Sequence, residues 1–281
     1  MSKSKAAGSS GQDEPQRMVA FNWNAKIKSK IVEQEEDICW AIALAHSLEG
    51  TFNSGDQEVE LSFDDIVYQL YGDKDTHKKA RDSSDRKLAT RINKAYKNVQ
   101  VKGIAQRRYC PYTVENRSSR KEVKRLANQR HKYDCLFIAK FESKEKVNEK
   151  TLLSDLQHQP IVGVLDSTPN FLKFMGKGIY TVEVPRAEKE QNLHCVVIVD
   201  WGEEHGKKFW VVRNSYGENW GDKGIGKLQM GPTHCSSIFL EYYYATKEIL
   251  KLRVRPRPRK MMREWNACQD ELTGTTLAAS S

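Results

Sequence analysis

With 281 residues, 38% of them apolar and including six Trp, eleven Tyr and nine Phe, the chain can bury the core of one large domain or two lobes. A mean hydropathy of −0.70 leaves part of that length for tail and loop. The formal net charge of +9 is concentrated: residues 251–264 carry seven basic residues and one acidic, which marks an appendage and excludes an evenly basic domain. No apolar run approaches the ~20 residues of a membrane span. Residues 1–16 lack the apolar core of a secretory signal, and the six cysteines show no close pairing and no CxxC. An intracellular protein, cytoplasmic or nuclear, with free thiols is expected.

Residues 1–19, rich in Ser, Lys and Gly, read as a disordered leader. Order begins near Phe21-Asn22-Trp23, and residues 28–32 lead as an extended segment into Gln34-Glu35-Glu36-Asp37-Ile38-Cys39-Trp40-Ala41. Trp40, Ala41, Leu44, Ala45 and Leu48 then recur at helical spacing, with Gly50 as the stop of a central buried helix. Ser62 and Asp65 resemble a capping box, and Phe63, Ile66, Val67 and Leu70 give the apolar face of a second helix. Residues 72–86 form a polar loop, and a third helix carries Leu88, Ile92, Ala95 and Tyr96 on one side.

The second half changes character. Residues 134–141, 160–165, 179–184, 194–201, 208–213 and 224–230 read as strands by their β-branched and aromatic content. A helix around Leu152, Leu153 and Leu156 separates the first two, and Glu203-Glu204-His205-Gly206-Lys207 is a hairpin turn. Short strands with tight turns suggest an antiparallel, barrel-like lobe. From residue 251 Arg alternates with Pro, which continues neither helix nor central strand, so residues 251–281 are expected as a disordered basic tail.

Chemistry is most legible at Cys39. At the first turn of a helix, unpaired N–H groups and the dipole favour a thiolate. Taken alone, Cys39 is also what a small buried core residue looks like. His194 at the mouth of one apolar strand and Asn214 at the end of the next change that, because adjacent antiparallel strands bring those ends together. An Asn amide oxygen accepting from one imidazole nitrogen would leave the other facing the thiol. His46 is mid-helix, and His77, His131, His158, His205 and His234 lie in polar or loop-like stretches. Cys110, Cys135, Cys195, Cys235 and Cys268 read as structural, with no metal-ligand spacing among them.

From about residue 21 to about residue 246 the chain resembles the papain-family cysteine proteases. The resemblance rests on Asn22-Trp23, the segment from Gln34 to Trp40 with Leu48-Glu49-Gly50 behind it, Tyr109-Cys110-Pro111-Tyr112, Gln159-Pro160, and His194 opening a strand. Its most specific part is Asn214-Ser215-Tyr216-Gly217-Glu218-Asn219-Trp220-Gly221. The resemblance implies an α+β fold of two lobes, helical over about 21–116 and β-rich over about 117–250, with the active-site cleft between them. It implies that Cys39 is the nucleophile, paired with His194, which Asn214 orients. Gln34 and the Cys39 N–H would bind the oxyanion, and Trp220 would shield the His–Asn bond. No cofactor is implied.

The departures are local. Glu35-Glu36-Asp37-Ile38 stand where the family has Gly and Ser or Ala after a disulfide Cys, and Gln34 is one residue closer to the nucleophile. The acidic run suits the helix dipole but disfavours a thiolate. The family's Cys-Asn-Gly-Gly segment is missing, Tyr216 replaces a Trp, and a domain without an inhibitory pro-segment is expected. The activity expected is a cysteine-type endopeptidase, monomeric, acting on peptide or protein substrates and not on membranes. The alternative is a weak or inactive homologue that binds peptides or a protein partner. A lesser reading gives the basic tail a nuclear-import or nucleic-acid contact.

Overall fold

The structure, a computed structural model, describes residues 22–34, 37–55, 57–71, 88–110, 134–181, 187, 191–231, 237–246 and 251–254. The expected leader, the polar loop 72–86 and residues 255–281 of the tail lie outside the described residues.

Helix α1 (Cys39–Phe52) is buried from Cys39 through Thr51, so the single apolar face read from the sequence is one side of a helix covered all round. Its polar residues find partners within the protein: Ser47 Oγ donates to Pro160 O at 2.7 Å and Thr51 Oγ1 to Ser47 O at 2.8 Å. Gly50 is not the stop. It lies inside the helix, where a Cβ would come within 2.9 Å of Pro160 and 3.2 Å of Ile27, so the residue is small because neighbours press on the backbone.

Helices α2 (Phe63–Tyr71) and α3 (Leu88–Lys102) pack against α1 and each other. Ser62 Oγ caps α2 by accepting the Asp65 N–H at 3.3 Å. The Asp65 carboxylate instead takes the Ala105 N–H and Gln69 Nε2, both at 2.9 Å, tying α2 to the strand beyond α3. Two short helices follow, α4 (Glu149–Leu156), capped by Asn148, and α5 (Pro169–Leu172), capped by Thr168.

The strands in chain order are β1 (Ile104–Ala105), β2 (Asp134–Phe137), β3 (Phe141–Lys144), β4 (Ile161–Asp166), β5 (Leu193–Glu204), β6 (Lys207–Arg213), β7 (Ile225–Gln229), β8 (Phe239–Ala245) and β9 (Lys251–Val254). They form an antiparallel six-stranded sheet ordered β3-β8-β4-β5-β6-β7 and a three-stranded one ordered β1-β2-β9. Helices α1 to α3 on one side and the larger sheet on the other make the two lobes. The β5–β6 hairpin turns on His205 and Gly206, both with positive φ (51° and 72°), as a two-residue turn requires.

Two sequence expectations change, one strand was not expected, and one expected strand falls partly outside the described residues. The strand expected over 134–141 is two strands in different sheets, parted where Gln100 Nε2 takes the Ala139 carbonyl. Strand β2 therefore joins the sheet of the helical half, and the lobe boundary is not a single point near residue 116. Residues 251–254 are a strand, not disordered tail: charged and apolar residues alternate with period two, and Leu252 packs on the core. Residues 239–245 form β8, between β3 and β4 in the sheet, although Tyr242-Tyr243-Tyr244 breaks the alternation that identifies a strand. Within the expected strand 179–184, the described residues show only a bridge between Tyr180 and Leu228.

Behind α1 lies a buried polar cluster. The Glu49 carboxylate accepts from the N–H of Lys28, the N–H and Oγ of Ser29 (2.6 and 2.7 Å) and the N–H of Leu61 (3.0 Å). Burial pushes its pKa up, and the donors hold it back. Beside it, Arg213 donates to Asn24 Oδ1 at 2.9 Å, to the Ser29 carbonyl and, through Nε, to His46 Nδ1 at 3.4 Å. Burial lowers the Arg213 pKa to about 10, and burial first and Arg213 second hold His46 well below the usual histidine range.

Glu49→Ala leaves those donors unanswered and is expected to cost about 3–5 kcal/mol in urea unfolding; a loss under about 1 kcal/mol would contradict the hub. His46 titrates lower in the folded chain than in the unfolded one, so below about pH 6.5 the unfolded state binds more protons and stability falls. The unfolding free energy of wild type minus that of His46→Gln should therefore shrink from pH 7 to pH 5. A constant difference would mean that His46 does not titrate on unfolding.

Candidate active site

The site is assembled by a short antiparallel contact. The Gln34 N–H donates to Ser215 O at 3.0 Å, the Gly217 N–H to Val32 O at 3.0 Å, and Glu33 bridges Tyr216. Gly217 is needed there: its φ is +76°, and a Cβ would meet the Glu33 side chain at 3.0 Å. The chain then turns at Asp37, whose carbonyl accepts from Trp40 Nε1 at 3.1 Å, and enters α1 with Cys39 as its first residue. Ile38, at the N-cap, offers no side-chain acceptor, so the first-turn amides are not capped by it.

His194 lies at the start of β5 and Asn214 directly after β6, and the register pairing Val197 with Arg213 brings these ends together. His194 Nε2 donates to Asn214 Oδ1 at 2.7 Å, and both residues are buried. The same oxygen takes the Ser215 N–H at 2.8 Å, while the Asn214 backbone N–H donates to Gly224 O at 2.9 Å, so the oxygen end of the side chain and the residue's backbone are both held. With Nε2 committed, Nδ1 is the ring nitrogen left for Cys39, whose pKa the His194 charge helps to lower. Tyr216 stacks on the imidazole, with centroids 4.4 Å apart and planes at 22°, and its hydroxyl meets Ser167 Oγ at 3.0 Å. Trp220, expected as the shield, donates to Phe171 O at 2.7 Å and meets Tyr216 edge-on at 6.5 Å, one layer behind.

Gln34 lies in the same strand contact. Its Oε1 accepts from Ser215 Oγ at 2.6 Å, which leaves Nε2 as the free-standing donor end of the amide. Cys39, His194, Asn214 and Gln34 thus share one locus, joined through Ser215 and the β5–β6 ends. Of the other histidines, His46 belongs to the buried cluster, His158 and His205 are exposed, and His77, His131 and His234 lie outside the described residues.

The profile of the papain family cysteine proteases matches residues 20–246. The chain belongs to this family. Among similar papain-family proteins are a cysteine protease of Blomia tropicalis, 24% identical over 215 residues, and ananain of Ananas comosus, 31% identical over 139 residues. These matches cover 75% and 49% of this chain, and only 61% and 36% of the relatives. Among solved structures, bromelain from Ananas comosus in complex with the E64 inhibitor superposes with a TM-score of 0.58 at 20% identity, covering 83% of this chain and 99% of that one. The proform of the ragweed pollen protease Amb a 11 gives 0.61 at 23% identity, covering 84% and 67%. These likenesses establish the papain-like fold.

In this member of the papain family, the electrostatics around the thiol come from residues the sequence did not single out. Cys195 and His194, both on β5, are the groups that act on the Cys39 thiol. The Cys195 hydrogen bond contributes most, burial opposes it, and the His194 charge adds to it, so the Cys39 pKa falls well below that of an ordinary thiol. Burial and the facing Cys39 push the Cys195 thiol well up. Cys195, read from the sequence as structural, immediately follows the candidate base, and that adjacency is what marks it.

The acidic run is also partly answered. Arg91 of α3 pairs with Asp37 at 2.6 Å, with its own side chain only 9% exposed. Burial works against the Arg91 charge, and Asp37 more than offsets it, so its pKa is raised. Glu35 and Glu36 lie outside the described residues. Arg91→Ala removes a cation near Cys39 and unmasks Asp37, so the pH midpoint of Cys39 alkylation should move up, whereas Asp37→Asn should move it down. Identical midpoints in both variants would show that this pair does not influence the thiol.

Proposed function

We propose that this papain-family protein is a cysteine endopeptidase in which Cys39 is the nucleophile, His194 the acid–base and Asn214 the group that orients it. One arrangement carries the reading: Cys39 opens α1, which packs on the strand β5 that begins with His194, and the Nε2 of that imidazole is held at 2.7 Å by Asn214. The thiolate attacks the scissile carbonyl, and negative charge develops on its oxygen. The Cys39 backbone N–H and Gln34 Nε2 are the donors proposed for that oxyanion. His194 then delivers its Nδ1 proton to the leaving amine, giving a thioester. A water molecule, losing its proton to His194, hydrolyses the thioester and restores the thiolate–imidazolium pair.

We further infer that its substrates are peptides or proteins and that it works in a reducing compartment, the cytoplasm or nucleus. Cys39, Cys110, Cys135 and Cys195, none of them in a disulfide, support that location.

Hydrolysis of a fluorogenic peptide library tests the proposal. Cys39→Ala should abolish turnover, and Asn214→Ala should lower kcat/KM by about 10²–10⁴-fold, the usual share of acid–base catalysis. Should wild type and Cys39→Ala bind the same peptides, with wild type cleaving none, the protein would be a peptide-binding homologue instead.

A further inference from the structure

Tyr216 carries a hydroxyl that the proposed peptidase chemistry does not use, and the structure gives it a partner. Its Oη lies 3.0 Å from Ser167 Oγ, on a serine that is 2% exposed. The phenol ring stacks on the His194 imidazole. Ser167 is in turn fixed to the chain that leads into His194. Its N–H donates to Asn192 O at 2.8 Å, and Asp166 Oδ1 accepts the Asn192 N–H at 2.9 Å, so both backbone groups of Asn192 are held. The contacts close on themselves: Ser167 to Tyr216, Tyr216 to His194, and the entry to β5 back to Ser167.

We propose that Ser167 is a positioning residue for the candidate base, acting through the Tyr216 hydroxyl to keep the phenol ring flat on the imidazole. This role rests on His194 being the acid–base proposed above. The need for it follows from the shape of imidazole. Nε2, which Asn214 holds at 2.7 Å, lies close to the axis of the Cβ–Cγ bond. Rotation about that bond therefore disturbs the Nε2 contact little, yet it swings Nδ1 out of line with Cys39. The torsion has broad wells and sets no sharp angle of its own. A ring pressed on the imidazole face resists the rotation, so long as that ring cannot tip.

Tyr216 is anchored at both ends. Its backbone bridges Glu33, and Ser167 holds the hydroxyl at the far end of the ring. The Trp that the family has here carries no hydroxyl, so this second anchor comes with the Tyr. Thr168, next to Ser167, has separate duties: its Oγ1 accepts the Phe171 N–H at 3.2 Å and meets Tyr180 Oη at 2.8 Å. Removing the Ser167 hydroxyl therefore leaves the α5 cap in place, and with it Phe171, whose ring centroid lies 6.1 Å from that of His194.

The test is the rate of Cys39 alkylation by iodoacetamide in the full chain, read by peptide mass at pH 5 and pH 9. Wild type is compared with Ser167→Ala, Tyr216→Phe and the double variant. At pH 5 the thiolate depends on His194, and each single variant should react about 3–10-fold more slowly, the share of one hydrogen bond. The double variant should be no slower than either, because both changes cut the same link. At pH 9 an ordinary thiol is largely ionised without help, so all four rates should agree, which general damage to the fold would not allow. Three results would overturn the positioning role alone: rapid alkylation at pH 5 that both single variants keep, losses that add in the double variant, or losses of the same size at pH 9. Slow alkylation at pH 5 in wild type and variants alike would overturn the acid–base reading of His194, and this role with it.

Discussion

The site depends on one backbone contact, the two-bond pairing of residues 32–34 with residues 215–217. It holds the start of α1 against the ends of β5 and β6, and so brings a thiol to an imidazole contributed from the other lobe. Everything chemical is hung on it. Gly217 lets the strand turn closely against Glu33, Ser215 receives Gln34 through backbone and side chain, and Asn214, one residue earlier, is left with its oxygen facing His194. A cleft between lobes would tolerate relative movement; this clasp restricts it where the reacting atoms lie.

Behind the clasp the protein invests in buried charge. Glu49, Arg213 and His46 occupy the back of α1, and Arg213 is the last residue of β6 before Asn214. The guanidinium binds the N-terminal segment through Asn24 and Ser29, which Glu49 also binds, so one cluster fixes α1, the incoming chain and the end of β6 together. Removing one member of such a network leaves the others buried and uncompensated, which makes the cluster a strong specifier of geometry even though its net stabilisation is modest.

Much of this was legible in the sequence. Helices α2 and α3 are half-buried and keep their 3.6-residue pattern, and the β5–β6 hairpin has apolar strands around a turn that needs positive φ. Cys39, His194 and Asn214 could be found because each sits at an element's end, where chain and motif agree. The misses share a cause: tertiary packing overrode the local signal. Gly50 looks like a helix stop but answers pressure from Pro160 and Ile27. Residues 251–254 have the composition of a tail but alternate against β2, and β8 hides its alternation in three tyrosines. Arg91 and Cys195 carry no motif, and their place beside Cys39 exists only once α3 and β5 are packed around α1.

The central claim is that Cys39 is held as a thiolate by His194. It is tested most directly by the rate of Cys39 alkylation with iodoacetamide between pH 4 and 8, followed by peptide mass in wild type and in His194→Ala. A free thiol titrating near pH 8.5 is almost unreactive at pH 5. Rapid alkylation of wild type at pH 5, lost in His194→Ala, is the result we expect. Alkylation that rises only above pH 8 and is identical in the two proteins would contradict the ion pair and, with it, the proposed peptidase mechanism.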